Sequence, residues 1–201
     1  MNPQSVVYVI DDDASVRKSL ERLIRSAELS VQTFSSAQDF LSRTLPDCPG
    51  CLVLDVKMPG VTGLELQEKL TAVHRFIPII FITGFGNIPA SVQAMKAGAV
   101  DFLEKPFDDK TLLDAIHRAI NRDIQYRQKN TELAALRRRS ESLTNREREV
   151  FELVVTGMLN KQIAFRLGIT EKTIKVHRAR IMQKMAVQSF ADLVRLAERL
   201  K

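Results

Sequence analysis

Carboxylates follow the ends of two apolar segments in the first half of the chain. Asp11 and Asp12 come directly after the segment VVYVI, and Asp55 ends the segment CLVLD. In an open parallel sheet the ligand crevice lies outside the carboxyl ends of the strands. If these two strands are neighbours, the three carboxylates converge, and they repel one another unless a cation neutralises them. An oxygen-only cluster of this kind suits Mg²⁺, which also bridges to phosphate oxygens.

Two further polar side chains follow later apolar segments. Thr83 ends the segment IPIIFIT, and Lys105 comes directly after VDFLE. A hydroxyl donor and an ammonium are thereby expected at the same edge of the sheet as the acids. Phosphoryl transfer needs metal-binding acids, a carboxylate nucleophile and positive charge for the phosphate oxygens. Each residue alone is common at a strand end or in a turn, so the prediction of phosphoryl chemistry depends on the combination.

The elements that must position these residues alternate along residues 1–120, which predicts a parallel sheet covered by helices on both faces. Strands are predicted at 6–10, 30–34, 51–55, 77–83 and 100–103, and helices near 14–28, 36–43, 63–73, 89–97 and 108–122. Residues 121–142 contain no Gly or Pro and predict an extended, mostly exposed helical linker. The remainder predicts four short helices, near 144–156, 160–167, 171–185 and 189–199.

The charge is unevenly divided between the two halves of the chain. Residues 1–120 hold 12 Lys and Arg against 15 Asp and Glu, a net charge of −3, whereas residues 121–201 hold 18 against 9, a net charge of +9. This division suggests two units, the second of which meets a polyanion. Solvated charge on a helical domain explains the excess equally well, so charge alone leaves both interpretations open.

Residues 160–185 have the pattern of a helix-turn-helix, with Gly168 in the turn between the two helices. In the second helix Ile174, Ile181 and Met185 share one face, and basic residues lie largely opposite. An apolar back and a basic front suit a recognition helix in the major groove. For a basic amphipathic helix taken alone, a solvated surface is the more common explanation.

The motifs IDDD, LDVKMPG, ITG and FLEKPF together resemble the receiver domain of two-component response regulators. The resemblance spans about residues 4–122 and implies a flavodoxin-like five-stranded parallel sheet of order 2-1-3-4-5. It implies that Asp55 is the phosphoacceptor and that Thr83 and Lys105 contact the phosphoryl group. It also implies that Phe102 is the aromatic switch residue and that the Lys105–Pro106 peptide is cis. Finally, it implies that Mg²⁺ is held by Asp11, Asp12, Asp55 and the backbone carbonyl of Lys57.

The sequence LTNREREVFELVVTGMLNKQIAFRLGITEKTIKVHRARIMQKM resembles the LuxR-type output domain of FixJ/NarL regulators. The likeness covers nearly all of residues 140–200 and implies an all-α, four-helix helix-turn-helix domain that binds promoter DNA. It places Asn160 and Lys161 near the DNA backbone and gives Glu147 a packing and capping role. The residues that it indicates for DNA contact are Lys161, Lys172, Thr173, Lys175, Val176, His177 and Arg178, with Thr173 and His177 mostly at phosphates.

Together the two resemblances predict a receiver domain at 1–122, a helical linker at 123–142 and a LuxR-type helix-turn-helix DNA-binding domain at 143–201. They imply a cognate sensor histidine kinase, a homodimer of phosphorylated receivers, and contact with RNA polymerase at the promoter. The first residues lack the features of a signal peptide, and no segment is long and apolar enough to span a membrane. We therefore expect a cytoplasmic protein without a membrane partner.

Two other functions are weighed against this one. A haloacid-type phosphatase also uses an Asp nucleophile and Mg²⁺, but it needs a second acid two residues later, where this chain has Lys57. A constitutive DNA-binding protein with a vestigial receiver is disfavoured because the acid, hydroxyl and lysine set is complete. We expect no enzyme activity on a separate substrate, since a receiver catalyses only its own aspartyl phosphorylation and dephosphorylation.

Two local features add expectations of their own. Phe85 and Asn87 follow ITG where close relatives often carry His or Tyr and then Gly-Asp, and we expect them to alter the lifetime of the phosphoryl group in a direction that the sequence does not give. Cys48 and Cys51 enclose Pro49-Gly50 before an apolar strand. This order favours a turn and a buried strand cysteine over a redox or zinc site.

Overall fold

The computed structural model describes residues 5–84 and 88–200 and divides into two compact units, the first ending at Arg127 and the second beginning at Gln128. Phe85 and Asn87 lie outside the described residues. No helix in the described part of the chain combines the length and apolar character that crossing a bilayer requires.

The first unit contains a five-stranded sheet whose strand pairs are all parallel. Its order is β2-β1-β3-β4-β5, which confirms the order that the resemblance implied. The strands are β1 (Val6–Ile10), β2 (Ser30–Phe34), β3 (Gly50–Asp55), β4 (Ile79–Thr83) and β5 (Asp101–Glu104). Every residue of β1, β3 and β4 is buried, as continuous apolar segments in the centre of a covered sheet require.

Helices cover both faces of this sheet. They are α1 (Ala14–Ser26), α2 (Ala37–Ser42), α3 (Gly63–Ala72), α4 (Ile88–Lys96) and α5 (Asp109–Glu141). Alternate residues of the central strands separate two apolar cores, one containing Tyr8 and Phe81 and the other Val7 and Ile80. The predicted last receiver helix and the predicted linker form the single helix α5, because no Gly or Pro interrupts that stretch.

The second unit contains the end of α5 and four further helices. These are α6 (Asn145–Val155), α7 (Asn160–Leu167), α8 (Glu171–Met185) and α9 (Phe190–Arg199). Thr144 and Glu147 form a capping box at the start of α6. Gly168 ends α7 with φ +64°, a left-handed conformation that glycine adopts without steric cost. Ile174, Ile181 and Met185 are fully buried, which confirms the predicted apolar face of α8.

The cysteines are structural. Cys48 is half-buried in the turn before β3, Cys51 is fully buried within that strand, and both are free thiols. Burial raises the pKa of the Cys51 thiol, so the neutral form is favoured. The predicted turn and buried strand cysteine are therefore confirmed.

Candidate functional site

The predicted acidic residues meet because their strands are neighbours. In the parallel pairing of β1 with β3, Ile10 lies opposite Leu54, so the residues that follow each of them reach the same edge of the sheet. Asp11 and Asp55 are both buried there, with 1% and 6% of their surface exposed. Asp12, the next residue, is exposed. The expectation that the first and third strands are neighbours is confirmed.

Lys105 joins the two buried carboxylates. Its Nζ donates hydrogen bonds to Oδ2 of Asp11 at 2.7 Å and to Oδ1 of Asp55 at 2.8 Å. The remaining oxygen of Asp55, Oδ2, accepts from the backbone N–H of Lys57 at 2.7 Å. One ammonium is therefore shared by two carboxylates, and with Asp12 included the acids outnumber Lys105 by three to one.

Burial and charge have opposite effects on the two titrating partners. Burial raises the pKa of Asp55 above its ordinary value, and Asp11 adds to the rise, while the hydrogen bond from Lys105 opposes it. Burial alone would lower the pKa of Lys105, but its hydrogen bonds to Asp11 and Asp55 outweigh burial and raise it. Lys105 is thus held as the cation of the site.

Arg17 is a residue of this site that the sequence reasoning missed. Its Nη1 donates to the backbone carbonyl oxygens of Asp11 at 2.7 Å and of Asp12 at 2.9 Å. Asp13 caps the N-terminus of α1 by accepting from the backbone N–H of Ser15. The only signal for Arg17 was its place one turn into α1, where it can reach back to the preceding loop.

Gly63 allows α3 to begin directly beside the phosphoacceptor candidate. Its N–H donates to the carbonyl oxygen of Val56 at 3.0 Å. A Cβ at this position would overlap the backbone carbonyl oxygen of Asp55 and press on the ring of Phe81. Glycine is therefore required here by the close approach of two backbones.

Thr83 lies at the same edge, whereas Phe102 lies two residues deeper in the sheet, opposite Phe81. Thr83 is 2% exposed, and its carbonyl oxygen accepts from the backbone N–H of Lys105 at 2.7 Å. Phe102, on β5, is half-buried, and its ring lies 6.1 Å from that of Phe81. The Lys105–Pro106 peptide bond is cis, as the resemblance implied.

The donor set fits a hard divalent cation. Within residues 5–84 and 88–200, no three His, Cys, Asp or Glu side chains form a group that could hold a metal ion by itself. Mg²⁺ does not require one, because it is usually held by one or two carboxylates and keeps several waters. The exposed carboxylate of Asp12 beside two buried ones, with a single ammonium among them, offers oxygen ligands and uncompensated charge.

The exposed face of α8 in the second unit carries a basic surface. Lys172, Lys175 and Val176 are exposed, and Lys161 is exposed on α7. Ala179 and Arg180 extend the exposed face of α8 along the helix, and the sequence-based set of contacts did not include them. Thr173 is half-buried, and its hydroxyl lies 2.9 Å from that of Thr170, which caps the helix.

Two predicted DNA contacts are half-buried within the second unit. Arg178 is half-buried, donates to Oδ1 of Asn160 at 2.7 Å and lies over the ring of Phe190. His177 is half-buried, and its Nδ1 is enclosed with no hydrogen-bond partner among the described residues. Arg178 thus connects the recognition helix to Asn160 at the start of α7. Arg178 and His177 stay predicted DNA contacts.

Comparison with protein families matches both units. Residues 7–117 match the family described as response regulator receiver domain, and residues 141–197 match the bacterial regulatory proteins of the luxR family. The chain belongs to the response regulators with a LuxR-type DNA-binding domain.

Relatives of this response regulator match it along nearly its whole length. Nodulation protein W of Bradyrhizobium diazoefficiens is 49% identical and aligns with 98% of this chain and 87% of its own. Transcriptional regulatory protein FixJ of Azorhizobium caulinodans is 43% identical and aligns with 97% of this chain and 93% of its own. Among solved structures, that of the response regulator StyR is 50% identical, has a TM-score of 0.87, and covers 98% of this chain and 99% of its own. The response regulator is thus similar to transcriptional regulators of two-component systems.

Proposed function

We propose that this DNA-binding transcriptional regulator is controlled by phosphorylation of Asp55 by a cognate sensor histidine kinase. The observation that carries the proposal is the contact of buried Asp55 with Lys105, 2.8 Å apart at the carboxyl edge of the sheet. This arrangement gives a carboxylate nucleophile next to a cation that can meet a phosphoryl oxygen. The chain acts on no separate metabolite.

In the proposed reaction, a carboxylate oxygen of Asp55 attacks the phosphorus of a phosphohistidine on the kinase. An O–P bond forms, the P–N bond breaks, and the imidazole leaves with the electron pair of that bond. Asp11 and Asp12, with Asp55 and the carbonyl of Lys57, would hold Mg²⁺. Bound there, Mg²⁺ supplies charge neutralisation for the phosphoryl oxygens.

The proposed switch begins with competition for one ammonium. Asp11 and Asp55 share Lys105, and a phosphoryl group on Asp55 would draw it and the hydroxyl of Thr83 toward the new charge. Phe102, half-buried near Phe81, would move with Thr83. The effect is a shift of population between two states that is driven by a local change of charge.

The surface proposed to respond is formed by α4 and β5. On α4 Ile88 is 80% exposed, Val92 45% and Met95 46%, an apolar stripe that pairing of two receivers would cover. A dimer would place two recognition helices on a two-fold promoter site, and joining them raises their effective concentration. Contact with RNA polymerase stays a prediction.

Intact-mass measurement after incubation with acetyl phosphate and Mg²⁺ tests the phosphorylation site. We expect the mass of one phosphoryl group on the wild-type chain and none on Asp55→Asn. Asp108→Asn, an exposed Asp on the same unit, serves as the matched control and should gain the group. An equal gain by Asp55→Asn would refute the assignment.

Sedimentation and DNA binding test the switch separately. We expect phosphorylation to convert a monomer to a dimer and to tighten binding to a palindromic promoter, and Val92→Lys to abolish the dimer while the mass gain persists. A chain that stays monomeric with unchanged affinity would instead support constitutive DNA binding.

A further inference from the structure

A cavity of about 340 Å³ lies at the edge of the sheet opposite Asp55. It is bounded by the end of α3, the start of β4, the end of α4 and the middle of α5. Buried Gln67, Leu70 and Ile79 form its floor. Its size is in the range of small-molecule sites, which are about 300–1,000 Å³.

The charge of the lining has one sign. His74, Arg75 and Arg122 line the cavity, and none of the described lining side chains is acidic. Asp47 and Asp123 line the neighbouring pocket, and both are paired with Arg127. The cavity therefore favours an anion.

The geometry places one guanidinium at the rim above a flat wall. Phe76 stacks on Tyr126 with ring centroids 3.9 Å apart. Arg122 lies over the Phe76 ring, and its Nη1 donates to the carbonyl oxygen of Gly98 at 3.1 Å. That hydrogen bond uses one of five guanidinium donors. An aromatic wall and a fixed guanidinium suit a planar ligand that carries a negative group.

His74 lies at the end of α3, at the rim of the cavity. It follows the C-terminus of α3 with φ +52°, and its N–H donates to the carbonyl oxygen of Thr71. This left-handed position normally favours glycine, because a side chain there is strained. The same left-handed conformation follows α1 at Glu28 and ends α8 at Ala186, so at His74 it closes α3 and places the imidazole at the rim of the cavity.

We propose that this cavity binds a small planar organic anion, of the class of aromatic carboxylates. The ring would lie against Phe76 above the floor of Leu70 and Ile79. The carboxylate would pair with Arg122, and Arg75 is the second arginine of the lining. Such a ligand would join the end of α4, at Gly98, to α5. Ligand binding would thus act on α4 independently of phosphorylation at Asp55.

Titration of the ¹⁵N-labelled full chain, followed by NMR, tests the proposal with three probes. Benzoate has the ring and the charge, benzamide has the same shape without the charge, and inorganic phosphate has charge without the ring. We expect benzoate to bind with a dissociation constant on the order of millimolar, as a ligand of this size allows. Amide shifts should concentrate at Phe76, Ala97 and Gly98, and benzamide and phosphate should bind about tenfold more weakly.

Variants separate this site from general anion binding. Arg122→Gln should weaken benzoate about tenfold, as the loss of one charge-assisted hydrogen bond predicts. Arg118→Gln, an exposed arginine one turn earlier on α5, is the matched control and should leave the affinity unchanged. Ala97→Leu should block the cavity without removing charge.

Three outcomes would overturn the proposal: equal binding of benzoate and benzamide, shifts spread over the surface, or an unchanged affinity in a folded Arg122→Gln chain. Asp55→Asn should bind benzoate as the wild type does. Failure of the ligand site and failure of the phosphorylation site are therefore distinguishable.

Discussion

Replacing Asp55 with Asn should stabilise the first unit at neutral pH in the absence of Mg²⁺. Three effects compete at this carboxylate. Attraction to Lys105 at 2.8 Å amounts to about 6 kcal/mol at an effective dielectric constant of roughly 20. The oxygens of Asp11 and Asp55 lie 2.7 and 2.8 Å from the same ammonium, hence at most about 5.5 Å apart, and at that separation they repel by about 3 kcal/mol.

Desolvation decides the balance. Asp55 is 6% exposed, and burying a carboxylate costs several kcal/mol. Desolvation and repulsion together exceed the attraction, which is why the pKa of Asp55 is raised. Asparagine avoids both costs, and its amide oxygen can still accept hydrogen bonds from Lys57 and Lys105. With a desolvation cost of about 4 kcal/mol, the balance favours asparagine by about 1 kcal/mol, or about 3–4 °C in Tm.

The sign of the pH dependence follows from the raised pKa. Between the ordinary and the raised value, folded Asp55 binds a proton that the unfolded chain has lost. The stability of the wild type relative to Asp55→Asn should therefore fall as pH rises through that window and stay constant above it. Below the ordinary pKa both side chains are neutral, so the difference should disappear.

Urea unfolding followed by tyrosine fluorescence measures this difference. Both tyrosines of the chain, Tyr8 and Tyr126, belong to the first unit, so the signal reports that unit alone. Asp47→Asn is the matched control. Its exposed ion pair with Arg127 should contribute at most about 1 kcal/mol, so its loss should destabilise slightly. An Asp55→Asn chain that is less stable than the wild type at pH 7 would refute the reasoning.

Three further results are expected. Gly63→Ala should cost at least about 2 kcal/mol in the same assay because the new methyl overlaps the carbonyl oxygen of Asp55. Gly84→Ala, whose added methyl meets no atom of the described residues within 4 Å, should be near neutral. Glu147→Gln should destabilise the second unit by about 1–2 kcal/mol at pH 7, as measured by thermal unfolding. Because the hydrogen bond from Lys184 lowers the pKa of Glu147, this difference in stability should vanish as pH falls through that lowered pKa. A difference that does not change with pH would contradict this prediction. Lys175→Ala should reduce the slope of log affinity for promoter DNA against log salt by about one, and an unchanged slope would exclude a phosphate contact.

Much of the fold could be predicted because its signals are local. The segments of β1, β3 and β4 are apolar throughout, as strands buried on both faces must be. The bounds of α7 and α8 were predicted because Gly168 and the cap Thr170 mark the turn between them. No residue marks an end within α5, and the helix predicted near 108–122 continues to Glu141.

The sequence by itself determined which chemical groups stand at each strand end. Strand periodicity and the positions of Asp11, Asp55, Thr83 and Lys105 are properties of neighbouring residues, and they predicted an acidic edge with one lysine. How these groups pair, and at what cost, was not in the sequence. Lys105 is 94 positions from Asp11 and 50 positions from Asp55 in the sequence, so its two hydrogen bonds depend on long-range folding.

Tertiary structure alone decided the features that depend on long-range packing. Burial of Asp55 sets the direction of its pKa, and it arises from the strands and helices around it, not from its neighbours in sequence. Arg178, a predicted DNA contact, also donates to Asn160, because α7 packs against α8. The cationic cavity around Arg122 exists only where three helices and a strand converge. Local patterns specify residue types and periods, whereas burial and pairing are set by which distant elements the fold brings together.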